Sequence, residues 1–330
     1  MRAIVITRPG GPEVLEVQRR PRPEPAAEQV RIHVRASAVN RADLLQREGK
    51  YPAPPNAPPD IGGMEYAGEI DMLGPGATIW QPGARVMGIV GGGAHAEYVI
   101  AHEREVVPIP SGLTWEEAAA IPEVFLTAYD ALFRRLGIQT GERLLIHAIG
   151  SGVGTAALQL GRVAGATVLG TSRSGAKLER AKEFGLDIGI DSAGDDWVSR
   201  VDEATAGQGV HAILDLVGGS YVSGNLQALA PRGRLALVGL SGGRSAELDL
   251  GTILHKRLQI VGTVLRSRPL EEKILLAREF SEHALPLFES GRVRPVVDHV
   301  FSFDDIGLAH DRMASNSNFG KIVLRWEGSA

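Results

Sequence analysis

Apolar residues in the middle of the chain follow two different periods in close succession. Leu144, Leu145 and Ile146 form an uninterrupted apolar run, which is typical of a strand buried on both faces of a parallel sheet. Glycines stand at positions 150, 152 and 154, and apolar residues then recur at helical spacing as far as Ala164. The pattern predicts a strand, a glycine turn and a helix, an arrangement that can hold a pyrophosphate. Because the spacing is G-x-G-x-G rather than G-x-G-x-x-G, a turn without a ligand remains an open alternative at this point.

The first third of the chain has the pattern of short strands separated by glycine and proline. Alternating or apolar runs predict strands over residues 2–7, 13–18, 29–38, 66–73, 85–90 and 94–100. A short helix over residues 41–47 is expected to end at Gly49, and five prolines between positions 52 and 59 form a stiff loop. This spacing favours a partly open all-β barrel or a sandwich.

After position 110 the chain alternates between strand and helix patterns. Thr114 and Glu117 have the spacing of a capping box, Pro122 interrupts the following apolar run, and a helix is predicted over 125–136. Strands are predicted over residues 143–148, 167–171, 188–191, 211–217, 235–240 and 258–265. Helices are predicted between them, over the stretch ending at 164 and over 177–184, 196–204 and 222–230. Such alternation predicts an α/β fold with a doubly wound parallel sheet that binds a dinucleotide.

The C-terminal part is predicted to return to the first domain. A long helix over 270–290 precedes strands over 293–300 and 321–326. The predicted domains are therefore residues 1–124, residues 125–266 as the dinucleotide-binding domain, and residues 267–330 as the returning part of the first domain. This places a doubly wound domain within the sequence of a β-rich one.

The residues after the strand at 167–171 indicate which dinucleotide binds. NAD sites carry an acidic residue about 20 positions beyond the glycines, to bind the ribose hydroxyls. Here Ser172, Arg173 and Ser174 occupy that position, and Lys177 follows one turn later. A hydroxyl and two cations suit a 2′-phosphate, so we predict NADPH over NADH. The alternative is a solvated loop without a ligand.

Composition narrows the possible functions. The net charge is −4, and the sequence shows no basic patch that would favour nucleic-acid binding. It also shows no apolar run typical of a membrane span and no pattern typical of a secretion signal. A cytoplasmic protein is therefore expected. The chain has no cysteine, which excludes disulfides, thiolate catalysis and cysteine-ligated zinc, and its nine histidines are scattered. No metal site is expected.

Several long stretches resemble a known family. NRADLLQREGKY, GMEYAG, VGGGAHAEYV, AAAIPEVFLTAYDAL, HAIGSGVGTAALQL, DLVGGSY, LRSR and FGKIVL are similar to the zinc-free quinone oxidoreductases of the medium-chain dehydrogenase/reductase superfamily, above all the p53-inducible, zeta-crystallin-like subgroup. The resemblance implies a GroES-like catalytic domain, NADPH-dependent reduction of quinones, a homodimer and a cleft between the two domains. Met64 stands where the zinc-dependent branch has a histidine ligand.

The resemblance also implies roles for individual residues. Tyr51, Asn40 and Thr127 match positions near the nicotinamide, Tyr51 being the candidate for positioning the substrate carbonyl or donating a proton. Further matches to cofactor-binding positions are Ser151, Gly152, Val153, Gly154, Ser172, Arg173, Lys177, Ser192, Val217, Leu240, Ser241, Leu265, Arg266 and Asn318. Ser192 replaces a tyrosine that many members have beside the 2′-phosphate.

Two alternatives to quinone reduction remain open. An enone or enal could accept the same hydride, but its carbanion would need a well-placed proton donor. A protein that binds NADPH with little turnover is the other alternative. Structural explanations also remain open for single residues: Asn40 is a good helix N-cap, Tyr51 could pack on the proline loop, and Asp215, His95 and His147 suit structural roles.

Overall fold

The computed structural model describes residues 1–194 and 196–326. Its strands are β1 Arg2–Ile6, β2 Leu15–Arg19, β3 Gln29–Val39, β4 Glu65–Leu73, β5 Arg85–Ile89, β6 Tyr98–His102, β7 Val107–Pro108, β8 Arg143–Ile146, β9 Thr167–Ser172, β10 Ile188–Asp191, β11 Val210–Asp215, β12 Leu229–Leu237, β13 Gln259–Gly262, β14 Val297–Ser302 and β15 Lys321–Arg325. Its α-helices are α1 Arg41–Arg47, α2 Trp115–Ala119, α3 Pro122–Tyr129, α4 Gly152–Val163, α5 Gly175–Lys182, α6 Trp197–Ala204, α7 Tyr221–Ala228, α8 Leu250–Lys256, α9 Leu270–His283, α10 Leu285–Glu289 and α11 Ile306–Ala314.

The chain forms two compact units. The terminal unit contains Met1–Leu126 and the chain from Leu265 onward, and the central unit contains Thr127–Val264. None of the helices in the described ranges has the length and apolar character that a membrane crossing requires.

The terminal unit is built on a seven-stranded sheet. Its order is β14-β15-β3-β4-β5-β7, and β6 also pairs with β3. Strand β15 returns the C-terminal chain to β3 in antiparallel register, with Ile322 opposite Val39, which confirms the predicted return. Val30, Ile32 and Val34 of β3 are fully buried, as the alternation in the sequence predicts.

One predicted strand of this unit begins later than expected. Residues 94–100 were expected to form it, but β6 begins at Tyr98. Ala94 and Ala96 are fully buried, and the Ile4 N–H donates to the His95 carbonyl at 2.8 Å. The apolar pattern there reflects packing against β1 rather than a continuous ladder.

The central unit contains the predicted doubly wound sheet. Its six strands are all parallel, in the order β10-β9-β8-β11-β12-β13. Leu144, Leu145 and Ile146 of β8 are fully buried, because helices cover both faces of such a sheet. The fold class predicted from the sequence is confirmed.

Several helix boundaries differ from the prediction. Pro122 does not interrupt a helix but begins α3, since proline is well accommodated in a first turn, where its missing N–H is not needed. The helix then widens into a π-helical segment, Asp130–Arg135. The predicted helix over 270–290 is two helices that meet at Ala284, with a proline in the first turn of the second. Helices α8 and α11 were not predicted.

Candidate active site

The glycine turn between β8 and α4 is a tight backbone structure with two unused donors. Ser151 is the N-cap of α4, and its Oγ accepts the Gly154 N–H at 3.0 Å. A Cβ at Gly154 would lie 2.5 Å from the Ala148 carbonyl oxygen, so only glycine fits. Within the described chain the N–H groups of Gly152 and Val153 have no hydrogen-bond acceptor. Together with the dipole of a 12-residue helix, these groups fit a pyrophosphate.

The end of β9 carries the residues that the sequence associates with the adenosine phosphate. Ser172 is buried, and its Oγ accepts the Ser174 N–H at 3.1 Å while its carbonyl accepts the Ser192 N–H at 2.9 Å. Arg173 is exposed, and in the described ranges its guanidinium makes no hydrogen bond or ion pair. Lys177 lies in the first turn of α5 and is partly buried.

A carboxylate that the sequence reasoning did not consider lies beside this region. Asp191, the last residue of β10, stands in register with Ser172 on the neighbouring parallel strand. It is exposed, and its Oδ1 accepts the Ala193 N–H at 2.9 Å. Asp191 therefore adds a negative charge near the edge where we expect a 2′-phosphate.

A buried polar network joins the ends of three central strands. His147 Nδ1 lies 2.9 Å from Thr171 Oγ1, and His147 Nε2 lies 2.7 Å from Asn225 Oδ1. Asn225 Nδ2 donates to Asp215 Oδ2 at 2.8 Å, and Asp215 Oδ1 accepts the Val217 N–H at 2.7 Å. Burial lowers the pKa of His147, which keeps the ring neutral, although Asp215 opposes the shift. The network fixes the turn that carries Val217.

The other central residues with implied cofactor roles differ in exposure. Thr127 is buried in α3, whereas Leu240 and Ser241 follow β12 and are exposed. Ser241 Oγ donates to the Leu216 carbonyl at 3.3 Å. Both exposed residues therefore lie beyond the carboxyl end of a parallel strand, where such sheets bind ligands.

In the terminal unit, Asn40 makes hydrogen bonds to both members of a buried ion pair, Lys321 and Glu65. Lys321 Nζ donates to Glu65 Oε1 at 2.7 Å and to Asn40 Oδ1 at 2.6 Å, and Asn40 Nδ2 donates to the same Glu65 oxygen at 2.8 Å. Asn40 is the N-cap residue of α1, as the sequence predicts, and it forms a capping box in which the Asp43 carboxylate accepts the Asn40 N–H at 2.7 Å. The Asn40 side chain also binds the buried ammonium and carboxylate of Lys321 and Glu65.

Met64 is buried beside this pair, at the position where the zinc-dependent branch has a histidine. Over the described residues no three histidine, aspartate or glutamate side chains come together as a metal site would require. The Glu65 carboxylate is occupied by the Lys321 ammonium, the Asn40 amide and the Glu123 N–H.

Tyr51 lies under a guanidinium. The Arg266 guanidinium carbon is 5.0 Å from the centre of the Tyr51 ring, and Arg266 is itself held by the Gly91 carbonyl at 2.7 Å and Gln46 Oε1 at 2.6 Å. Burial raises the pKa of the Tyr51 phenol, and Glu123 raises it further, while Arg266 opposes the shift. Tyr51 therefore remains protonated and able to donate. The two other terminal residues with implied cofactor roles, Leu265 and Asn318, are buried, and Asn318 Nδ2 donates to the Gly320 carbonyl at 2.8 Å.

Glu123 is the functional candidate that sequence reasoning missed. It is the second residue of α3, and its N–H donates to Glu65 Oε2 at 2.8 Å. Burial raises the pKa of its carboxyl to about 8, and the Glu65 charge contributes to the shift. Glu123 follows Pro122 in one of the stretches that carry the family resemblance, but nothing in the sequence indicates that its surroundings are buried and negatively charged.

Comparison with known proteins covers nearly the whole chain. Residues 26–111 match the alcohol dehydrogenase GroES-like domain, and residues 152–288 match the zinc-binding dehydrogenase family. The quinone oxidoreductase of Pseudomonas aeruginosa is 31% identical over 96% of this chain and 96% of its own length. The synaptic vesicle membrane protein VAT-1 homolog of Rattus norvegicus is 31% identical over 98% of this chain and 84% of its own.

A solved structure adds a second activity to the comparison. The CurK enoyl reductase superposes with a TM-score of 0.86 at 28% identity, covering 98% of this chain and 99% of its own. The two domain families that match, the parallel sheet of the central unit and the relatives that align over nearly the whole chain all indicate the same superfamily. The chain belongs to the medium-chain dehydrogenase/reductase superfamily, among the relatives of the quinone oxidoreductases.

Proposed function

We propose that this protein is a zinc-independent, NADPH-dependent reductase of quinones. Membership of the superfamily supports an oxidoreductase that uses a nicotinamide cofactor. The reduced nicotinamide, when bound, supplies the hydride, so the protein has to bind and orient it and admit an acceptor. The observation that carries the proposal is the donor-rich glycine turn of the central unit, in a chain related to quinone oxidoreductases. Within the terminal unit, the protonated phenol of Tyr51 supports the assignment of the acceptor.

The cofactor assignment depends on the end of β9. The free N–H groups of Gly152 and Val153 would hold the pyrophosphate, and the Arg173 guanidinium, which has no partner in the described chain, would bind the 2′-phosphate. Asp191 opposes this preference, since its carboxylate would repel a phosphate. We expect the attraction of the 2′-phosphate to Arg173 to exceed its repulsion by Asp191, because Asp191 is exposed and its Oδ1 already accepts an N–H.

The acceptor assignment depends on Tyr51. Its phenol would donate a hydrogen bond to the quinone oxygen and so favour the negative charge that develops there. A reduced quinone is a stabilised anion and needs no strong acid. Tyr51 is therefore expected to assist the reaction without being indispensable to it.

NADPH oxidation by a panel of small and large quinones tests the proposal. Tyr51→Phe should lower kcat/KM about tenfold, since one hydrogen bond to a charged group contributes about 1.5–3 kcal/mol. Tyr98→Phe is the matched control, because Tyr98 lies on β6, where its ring stacks on His33. Tight NADPH binding without oxidation by any quinone or enone would contradict a reductase and favour a binding protein.

Reduction of an enone or enal is the second candidate. Two observations favour it: the similarity to an enoyl reductase, and the Glu123 carboxyl, whose raised pKa suits a proton donor. Enones in the same panel would show this activity directly.

A further inference from the structure

Three carboxyl groups and two cations share one region of the terminal unit. The charges that act on Glu123 come from Glu65 on β4, Asp43 on α1, Lys321 on β15 and Arg266, which follows the central unit. Asp43 and Glu65 are each almost fully buried. With all five groups ionised, the region would carry one excess negative charge.

Two of the three carboxylates are fully engaged. Asp43 accepts the Gly63 N–H at 3.0 Å with one oxygen and the Asn40 N–H at 2.7 Å with the other. Both oxygens of Glu65 also accept hydrogen bonds. The Glu123 carboxyl, by contrast, makes no hydrogen bond or ion pair with any described residue, and the residue as a whole is partly exposed.

This difference determines which group carries a proton. Asp43 and Glu65 as anions balance the ammonium of Lys321 and the guanidinium of Arg266. Glu123 has no donor to stabilise its anion, so the neutral acid suits it best. The first turn of α3 favours an anion only weakly in comparison.

Glu123 lies within electrostatic range of Tyr51, the residue that we propose to bind the acceptor. Its charge acts on the Tyr51 phenol and on the Arg266 guanidinium that covers the Tyr51 ring. Burial of the carboxyl raises its pKa, while Glu123 as a whole residue keeps part of its surface exposed to water, from which a lost proton can be replaced.

We propose that Glu123 stores the proton that completes reduction of an enone or enal acceptor. The inference rests on the proposed reductase function and extends it to a further residue. Hydride transfer brings two electrons and one hydrogen nucleus to the acceptor and leaves an anion. The Glu123 O–H gives its proton to that anion, and the resulting carboxylate is reprotonated from water after the product leaves.

The two acceptor classes should depend on this proton to different degrees. An enolate must be protonated at carbon, whereas a hydroquinone anion is stable and takes a proton from water. General acid catalysis contributes about 10²–10⁴-fold where it is needed. Glu123→Gln should therefore lower kcat for an enone by at least about 10²-fold and alter quinone reduction less than about threefold.

The test uses the purified full chain with NADPH, an enone and a quinone. For the wild type, the rate of enone reduction should fall as the pH rises through about 8, because the acid is then lost. The Glu123→Gln variant should reduce the enone slowly, and its rate should not fall as the pH rises through about 8. The Glu272→Gln variant, which changes an exposed glutamate of α9, should have the rate and pH profile of the wild type. Thermal unfolding and the Kd of NADPH verify that each variant is folded.

The outcomes separate this inference from the proposed function. An unchanged enone rate and pH profile in Glu123→Gln would overturn the role of Glu123 while leaving the reductase intact. A wild type that turns over neither acceptor would overturn both. If the variant fails to fold, a wild-type profile without a limb near pH 8 overturns the inference.

Discussion

Replacement of Lys321 by methionine tests the buried ion pair that organises the terminal unit. The side chains of Lys321 and Glu65 are 3% and 0% exposed, and their charged atoms are 2.7 Å apart. Loss of one partner from a buried pair costs about 3–5 kcal/mol, since the remaining charge is left uncompensated. The Asn40 amide and the Glu123 N–H would still donate to Glu65. We therefore expect a loss at the low end, about 3 kcal/mol.

Calorimetry of the purified variant measures this loss. For a unit of this size each kcal/mol corresponds to about 2–4 °C, so the transition of the terminal unit should fall by about 6–12 °C. The central transition should change little.

Two further variants make the result specific. Lys50→Met removes an exposed lysine that lies 2.9 Å from Glu48, and it should cost less than about 1 kcal/mol. Glu65→Gln combined with Lys321→Met removes both charges and should recover at least about 1 kcal/mol of the single-variant loss. A Lys321→Met protein as stable as Lys50→Met would refute the reasoning.

Three other predictions concern the cofactor and the assembly. Gly154→Ala places a Cβ 2.5 Å from the Ala148 carbonyl oxygen and should weaken NADPH binding at least about tenfold in a fluorescence titration. Gly175→Ala is the control, because nothing lies within 4 Å of a Cβ at that position, and it should leave NADPH binding unchanged. Equal effects of the two substitutions would contradict the tight turn at Gly154. Arg173→Ala should raise the Kd of NADPH by about 10–100-fold and leave that of NADH unchanged, and an equal effect on both would argue against a 2′-phosphate contact. The edge strand β13 and the exposed leucines of α8 should pair two copies of the chain, so light scattering should give a dimer mass, and a monomer at micromolar concentration would contradict this.

The sequence predicts the central sheet well because its signals are local. Strands such as β8 and β11 contain short, fully buried apolar runs, which can be recognised without information on their partners. Strand β12 begins at Leu229 rather than at the predicted position 235, because its first half contains Pro231, Arg232 and Gly233.

Of the two helices that the sequence did not predict, α11 has a buried stripe of Ile306, Ala309, His310 and Met313, whereas α8 has a weak local signal. Helix α8 exposes Leu250 and Leu254, so it lacks the buried stripe on which the prediction depends.

The candidate site is less visible in the sequence than the fold. Ser151 and Arg173 follow strand ends and could be found from their positions. Glu123 could not, because its raised pKa depends on burial and then on the charge of Glu65, which is 58 residues away in the chain. The same holds for the contact between the Asn40 side chain and Lys321, because the two residues are 281 positions apart in the chain.

The central claim is tested most directly by kcat/KM for NADPH and for NADH with one quinone as acceptor. We expect stoichiometric oxidation of NADPH and formation of hydroquinone, with NADPH preferred at least about tenfold, as one charge-assisted phosphate contact implies. Equal values for the two cofactors, or no oxidation of either, would contradict it.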